Sequence, residues 1–329
     1  MIRTFAPNDY PMLERVWNEC VSNGDVLYRP LCENYFRDKF LSENTYDASL
    51  LLVAEDNSEV IGFISGSRKK AFLAGENDEN TPGFINTLMV RPACRSHGAG
   101  SMLVSGLEDA FRRLGKKNLD VSSLSPMDLD WRIPGTPEHE HNNMPGMDEG
   151  SLAYGFLKKR GYVPRVHEVA MYLNLADYRK TDEIENKRSE LAAQGIKAGL
   201  YDPKENCEWD GMCDRVGSEY WRKVLRDELA SPFPRPILAA RTQGHIVGFT
   251  GPVDVQPNGR GWFTGICTDP LYEKRGIATV LFNDLINEFI KVGAKYSSLF
   301  TGTENHAQRL YLRTGFRPAR TFAFMRKEL

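Results

Sequence analysis

Apolar positions along this chain recur with two periods, and the order of the periods repeats. "IRTF" reads as a short strand, and "APNDYPMLERVWNEC" then sets Leu13, Val16 and Trp17 on one helical face behind a start that Asn8 or Asp9 can cap. "SLLLVAEDNSEVIGFISG" is two apolar runs around a polar turn, a hairpin signal. "GFINTLMV" predicts another strand. The turn "RPACRSHGAG" follows, and then a helix with Leu103, Leu107, Ala110, Phe111 and Leu114 inward that stops near Gly115. "NLDVSSL" predicts a further strand, Ser125–Gly150 a long polar loop, "SLAYGFLKKRG" a helix and "EVAMYLNL" a closing strand.

The same order returns downstream. "IKAGLYDPKENCEWDGMCDRV" is strand then helix, and "PILAARTQGHIVGFTGPVDV" is a hairpin with "TQGH" as its turn. "RGWFTGICTDP" is the strand before a turn, and Ala278, Leu281, Phe282, Leu285 and Phe289 form the inward face of the next helix. "YSSLFTGT" and "NHAQRLYLRTGF" supply one more strand and helix, so that Gly276 answers Gly98 and Gly315 answers Gly161. The expected fold is α/β in the α+β sense: two tandem domains, each a mixed, mostly antiparallel twisted sheet flanked by helices. Residues 1–178 and 195–329 are the domains, and the charged, helix-forming stretch 179–194 is their connector.

Composition adds limits. At 329 residues the chain is long for one core, and 41% apolar with 26% charged residues is ordinary for a globular protein. A formal net charge of −2 gives no global field for a polyanion, so no nucleic-acid partner is expected, and "RKK" at 68–70 and "KK" at 116–117 read as solvated faces or turns. The six cysteines have no CxxC pair and read as free thiols of a reducing compartment. No apolar run approaches the ~20 residues of a spanning helix, so a cytoplasmic protein without a membrane partner is expected. His139 and His141 make an HxH pair without a third ligand at matching spacing. A solvated loop is the reading there, and no metal is expected.

The chemistry lies in the two turns. A strand feeding a glycine turn at a helix N-terminus aims unpartnered N–H groups and the positive end of the helix dipole at one point, an anion seat. "P-x-x-R-x-x-G-x-G" at Pro92, Arg95, Gly98 and Gly100 resembles the pyrophosphate loop of the GNAT superfamily of acyl-CoA N-acyltransferases, as does "P-x-x-E-x-x-G-I-A" at Pro270, Glu273, Gly276, Ile277 and Ala278. "TENHAQRLYLRTGF" resembles the family's second signature, and the doubled arrangement is similar to that of mycothiol-synthase-like proteins.

The resemblance implies a splay between the strand before each loop and the strand after it, with acyl-CoA, most simply acetyl-CoA, lying inside. It implies contacts to that cosubstrate from Met89, Val90, Arg95, Ser96, His97, Gly98, Ala99, Gly100 and Ser101 in the first half. In the second half it implies them from Cys267, Thr268, Glu273, Lys274, Arg275, Gly276, Ile277, Ala278, Thr279 and Asn305. A bound primary amine of a small molecule attacks the thioester directly, and a tyrosine on the signature helix protonates the departing thiolate. Tyr311, four residues before Gly315, holds that position; its first-half counterpart is Leu157, with Tyr154 one turn displaced.

This favours the second half as the catalytic domain of an N-acetyltransferase and the first as a degenerate one. Two other readings stay open: a non-catalytic acyl-CoA-binding protein, and chemistry in the first half through Tyr154 or water. Asp254, Asp269 and Glu304 lie near the second-half strands but read as turn or surface carboxylates. Cys267, without a histidine to activate it, reads as strand packing. Trp131 and Met144 either line a substrate pocket or pin the long loop. Acceptor identity, acyl preference and oligomeric state are left open.

Overall fold

The computed structural model describes residues 1–329, and the elements follow the two periodicities closely. In the first half β1 (Ile2–Thr4) leads to α1 (Tyr10–Ser22), which buries Leu13, Val16, Trp17 and Cys20. Then come α2 (Glu33–Phe40), β2 (Leu51–Asp56), β3 (Glu59–Arg68), β4 (Gly83–Val90), α3 (Ala99–Arg113) and β5 (Asn118–Val121). The Ser125–Gly150 stretch carries β6 (Trp131–Arg132), β7 (Glu140–His141) and β8 (Met147–Asp148), followed by α4 (Leu152–Lys159) and β9 (Val163–Asn174).

The second half runs α5 (Asp182–Ala193), β10 (Lys197–Leu200), α6 (Asp210–Val216), α7 (Glu219–Ala230), β11 (Leu238–Thr242) and β12 (His245–Gly251). It continues with β13 (Asp254–Val255), β14 (Arg260–Trp262), β15 (Gly265–Thr268), α8 (Ile277–Lys291), β16 (Tyr296–Gly302), α9 (Gln308–Arg313) and β17 (Arg317–Glu328). Both predicted hairpins form. Their turns place consecutive residues at positive φ, Asn57 and Ser58 in one and Gln243 and Gly244 in the other, the hand that matches strand twist.

The chain divides into two compact units that do not simply follow its halves. The first is Met1–Ala170 with Phe300–Thr303 and Ala319–Leu329; the second is Met171–Leu299 with Glu304–Pro318. In the first unit the strand order is β1-β2-β3-β4-β5-β17. Every pairing is antiparallel except β4 with β5. Strand β17 thus joins the sheet of the N-terminal unit beside β5, with Met325 opposite Val121, and also pairs antiparallel with β8. Arg326 locks it there through two 2.7 Å bonds to the fully buried Asp120.

The α3 face packs Leu103, Leu107 and Phe111 with Leu52, Ile64, Leu119 and Met325 in one core cluster. Packing there is tight enough that a Cβ on Gly83 would stand 2.5 Å from the Phe111 ring.

The second unit holds the antiparallel order β10-β11-β12-β15, and separately β14 pairs antiparallel with β13 and parallel with β16. Sequence reasoning expects one strand before the second turn. The structure breaks it at Phe263–Thr264 into β14 and β15, which serve different partners. The stretch read as a connector is α5, an integral helix of this unit: Ile184 and Leu191 are buried, and Arg188 reaches Asp284 of α8 at 2.5 Å.

Two surface expectations are corrected. Lys116, read as part of a solvated pair, is buried, its ammonium donating to the Asp78 carboxylate at 2.8 Å and to the Thr81 carbonyl at 3.2 Å. His141, read as part of a solvated loop, is buried between Trp131 and Phe300 at ring separations of 6.0 and 5.5 Å.

Candidate functional site

Both glycine turns fold into the same backbone device. Each starts with a short 3-10 turn, Pro92–Cys94 or Pro270–Tyr272. Each then visits the left-handed region twice, at Ser96 (φ 66°) and Gly98 (φ 89°) or at Lys274 (φ 61°) and Gly276 (φ 92°), before α3 or α8 begins. Alternating handedness turns successive amides toward one point, and the helix dipole adds to it: a nest for an anion. Gly98 and Gly276 are the helix caps, where a positive φ close to 90° requires glycine.

The two nests differ in what stands over them. A Cβ at Gly98 would meet nothing within 4 Å. At Gly276 it would stand 2.3 Å from Cδ and 2.6 Å from Cγ of Lys187, whose stem packs against this glycine from α5 while its ammonium bonds Glu190 at 2.5 Å.

The open nest gives onto a cavity of about 540 Å³ whose lining includes Met89, Val90, Arg95, Ser96, Gly98, Ala99, Gly100 and Ser101. That is every first-half residue expected from the sequence except His97, which is exposed beside the nest. Arg95 points inward, with Nε donating to the Val90 carbonyl at 3.0 Å and the guanidinium paired with Asp25. That pairing holds the Asp25 carboxyl below its ordinary value.

A second cavity of about 100 Å³ adjoins the first, sharing Asp25, Val26, Leu88, Met89 and Ala153 as lining. It occupies the opening between β4 and β5, which pair only at Gly83–Leu119 and Phe84–Asp120 before parting. In β4 the register slips between Thr87 and Ile85, leaving Asn86 as the bulge residue. Its side-chain oxygen accepts from Ser67 at 3.0 Å and from Ser125 at 2.7 Å.

The long loop builds the outer wall of this cavity, and the two roles considered for it are divided between its residues. Met144 lines the cavity. Trp131 pins the loop: it is fully buried, its indole N–H donates to the Asn143 carbonyl at 2.7 Å, and its ring meets Phe322 edge-on at 5.1 Å. From β17, Arg320 makes bonds of 2.7 and 3.0 Å to Asp148. A Cβ on Gly146 would stand 2.3 Å from the Ala323 carbonyl oxygen. The α1–α2 segment closes the other side, where Arg132 N donates to the Leu27 carbonyl at 2.6 Å and Asp130 N to the Tyr35 hydroxyl at 2.9 Å.

Sequence reasoning missed Cys20, Asp25, Val26 and Arg320. No motif marks them, whereas the excess length of the 125–150 loop did flag that wall.

The second-half residues occupy packed surroundings. Tyr311 is buried against Phe282 (5.0 Å) and Phe316 (6.2 Å), and burial pushes its phenol up to about 12. Asn305 spends its side-chain oxygen on the Ala307 amide at 2.9 Å. Cys267 is buried on β15 opposite Phe249, its thiol pushed well up by desolvation, and Thr268 ends the strand. Arg275 lies over the Tyr272 ring at 5.1 Å, with Glu273 and Lys274 exposed beside it. Ile277 is buried, and Ala278 and Thr279 complete the first turn of α8.

Asp269 is fully buried; burial works to raise its pKa, but a bidentate pairing with Arg215 and the Leu271 amide hold it below the ordinary value. Asp254 pairs with Arg235 at 2.8 Å. In the first half Leu157 is fully buried in the core, and Tyr154 packs against that core with Lys158 5.0 Å over its ring. No group of three His, Cys, Asp or Glu side chains is placed to hold a metal.

Two copies of one α/β element order, each with a glycine nest at a helix start, make a repeated seat for an anionic group. Residues 13–124 and 204–316 each match the model of the acetyltransferase (GNAT) family, and the chain belongs to that family, whose members use acetyl-CoA to acetylate amines.

No curated protein matches the sequence. Among solved structures, a GCN5-related glucosamine N-acetyltransferase region of a fungal multi-domain β-N-acetylglucosaminidase is similar over 99% of this chain with TM-score 0.71 and 15% identity. This chain spans 38% of that one. A GCN5-related N-acetyltransferase from Sphaerobacter thermophilus has TM-score 0.61 and 19% identity over 100% of this chain and 95% of its own. A tandem GNAT protein of the clavulanic acid biosynthesis pathway has TM-score 0.58 and 14% identity, covering 100% and 98%. At these identities the likeness is one of fold. No helix is long and apolar enough to cross a membrane.

Proposed function

We propose that this chain transfers acetyl from acetyl-CoA to a primary amine of a small molecule, and that the transfer takes place in the N-terminal unit. The observation that carries this is the contrast at the two glycines: Gly98 stands open over a continuous cavity, while Lys187 packs against Gly276. The pyrophosphate sits on the Ser96–Ser101 nest, pantetheine runs along the end of β4, and the thioester lies where β4 and β5 part. The neutral amine nitrogen bonds to the acetyl carbon, the carbon–sulfur bond breaks with its electron pair on sulfur, and the nitrogen loses a proton. Counted from the neutral amine, the net products are the amide and CoA in its thiol form, the proton lost by nitrogen balancing the one the thiolate takes up.

Neither tyrosine proposed as proton donor is among the cavity linings. The thiolate in this reading takes its proton from water. Tyr311 is a packing residue of the second unit in this reading.

Native mass spectrometry with acetyl-CoA tests the assignment. One ligand bound per chain, lost in Gly98→Glu, is the expected result. A single ligand that survives Gly98→Glu moves the site to the second half, and no ligand at saturation retires the reading.

A further inference from the structure

The smaller cavity has an unusual chemistry for an amine pocket, and its charges can be followed one by one. Three carboxylates line it, Asp25, Asp128 and Asp148, and no lysine, arginine or histidine does. Two of the three are already neutralised: Asp25 by Arg95, and Asp148 by the bidentate Arg320. Asp128 has no ion pair and stands exposed at the rim.

The remaining wall is apolar and adaptable, with Met89, Met127, Met144 and Met147 joined by Ile85 and Leu129. Part of its hydrogen-bonding capacity is spent inside the protein, while the Asn86 side-chain N–H2 is buried without a partner. Ser125 and Ser67 bond the Asn86 oxygen, Thr87 bonds Ser65 at 2.8 Å, and Ser151 donates to the Asp148 carbonyl at 2.7 Å.

We propose that the acceptor is a small monoamine with an apolar body and no carboxylate or phosphate, held by its ammonium on Asp128. This rests on the acetyl-transfer reading above and narrows its substrate class. A carboxylate on the substrate would enter a cavity that offers no cation and would face the unpaired Asp128. A polyhydroxylated body would exchange several water partners for a wall rich in methionine, isoleucine and leucine, where the Asn86 N–H2 is the one unpartnered buried side-chain donor. Although Asp128 reaches solvent, the protein atoms packed around its carboxyl raise it, with the nearby Asp130 adding to this and Lys39 opposing. Holding the ammonium, Asp128 is in contact with the proton that must leave as the nitrogen becomes the nucleophile.

The test uses the full chain, acetyl-CoA and three amines: 2-phenylethylamine, phenylalanine (the same body with a carboxylate added) and glucosamine (an amine on a polyhydroxylated body). The expected kcat/KM for 2-phenylethylamine exceeds that for either of the others by about 100-fold, the range apolar pockets and like-charge rejection reach. Asp128→Asn should raise KM for 2-phenylethylamine by about 10-fold or more, the loss of one ammonium–carboxylate contact. The acetyl-CoA count per chain should stay unchanged. Equal use of phenylalanine or glucosamine, or an unchanged KM in Asp128→Asn, overturns the inference. So does acetyl-CoA binding without transfer to 2-phenylethylamine, and in both cases the acetyl-CoA seat stands. Failure to bind acetyl-CoA at all overturns the underlying reading as well.

Discussion

The nests at Gly98 and Gly276 have nearly the same backbone, with φ of 89° and 92° and a second left-handed residue two positions earlier in each. One is open and the other has a lysine stem packed against its glycine. A phosphate loop is therefore two separable things: a conformation, which local sequence encodes, and a vacant space above it, which the rest of the fold must leave. Duplication kept the conformation twice. The vacancy is present over Gly98, whereas in the second unit α5 places the Lys187 stem against Gly276.

The sharpest way to break this comparison is to place a carboxylate three residues into each helix, where an acidic side chain suits the helix start and strains no backbone. Ser101→Glu should weaken acetyl-CoA binding by about 100-fold, about 2.7 kcal/mol. Thr279→Glu should leave it within about twofold, and isothermal titration reads both. A loss in Thr279→Glu would mean the second nest is in use.

Arg326→Met tests whether the first unit depends on the last strand. It strands the buried Asp120 without its partner and should cost about 3 kcal/mol in chemical denaturation. Tyr311→Phe should alter kcat by less than about twofold and stability by less than about 1 kcal/mol, since the ring contacts survive; a large fall in kcat would return the chemistry to the second half.

The smallest effect concerns the link between nest and α1–α2 segment, where Glu273 replaces Arg95 in the other copy. Arg95 holds the Asp25 carboxyl below its ordinary value, so the stabilisation is present above the ordinary carboxylate range and lost as pH falls through it. Arg95→Met should flatten the acid limb of thermal stability by under about 1 kcal/mol, an amount set by the pair's partial exposure.

Much of the fold was legible because it is local. The helical faces of α1, α3 and α8, both hairpins, and the repeated order all follow from periodicity and turn chemistry within short windows. So did the first-half lining of the larger cavity, since the turn itself supplies it. What escaped depends on distant packing. Lys187 is 89 residues from Gly276, and nothing near either residue announces the contact. The pattern "NHAQRLYLRTGF" was the strongest argument for placing chemistry in the second half, yet Tyr311 sits in an aromatic cluster with Phe282 and Phe316, which a helix's inward face also requires. His141 and Lys116 look solvated among polar neighbours, and their partners Trp131, Phe300, Asp78 and Thr81 lie up to 159 positions away. The affiliation of β17 is the same kind of fact: its apolar alternation predicts a strand but not whose.

That affiliation has a consequence for biosynthesis. On the ribosome the first unit has nearly all of its chain by Ala170 but lacks Ala319–Leu329, about 150 residues further on. At roughly 5–20 residues per second this is a wait of about 7–30 s. Throughout it β5 presents an open edge that any extended chain can pair with. Translation order, rather than any bound molecule, thus decides when the nest at Gly98 acquires a finished sheet behind it, and a nascent chain stopped short of β17 would carry the complete phosphate loop on an unclosed scaffold.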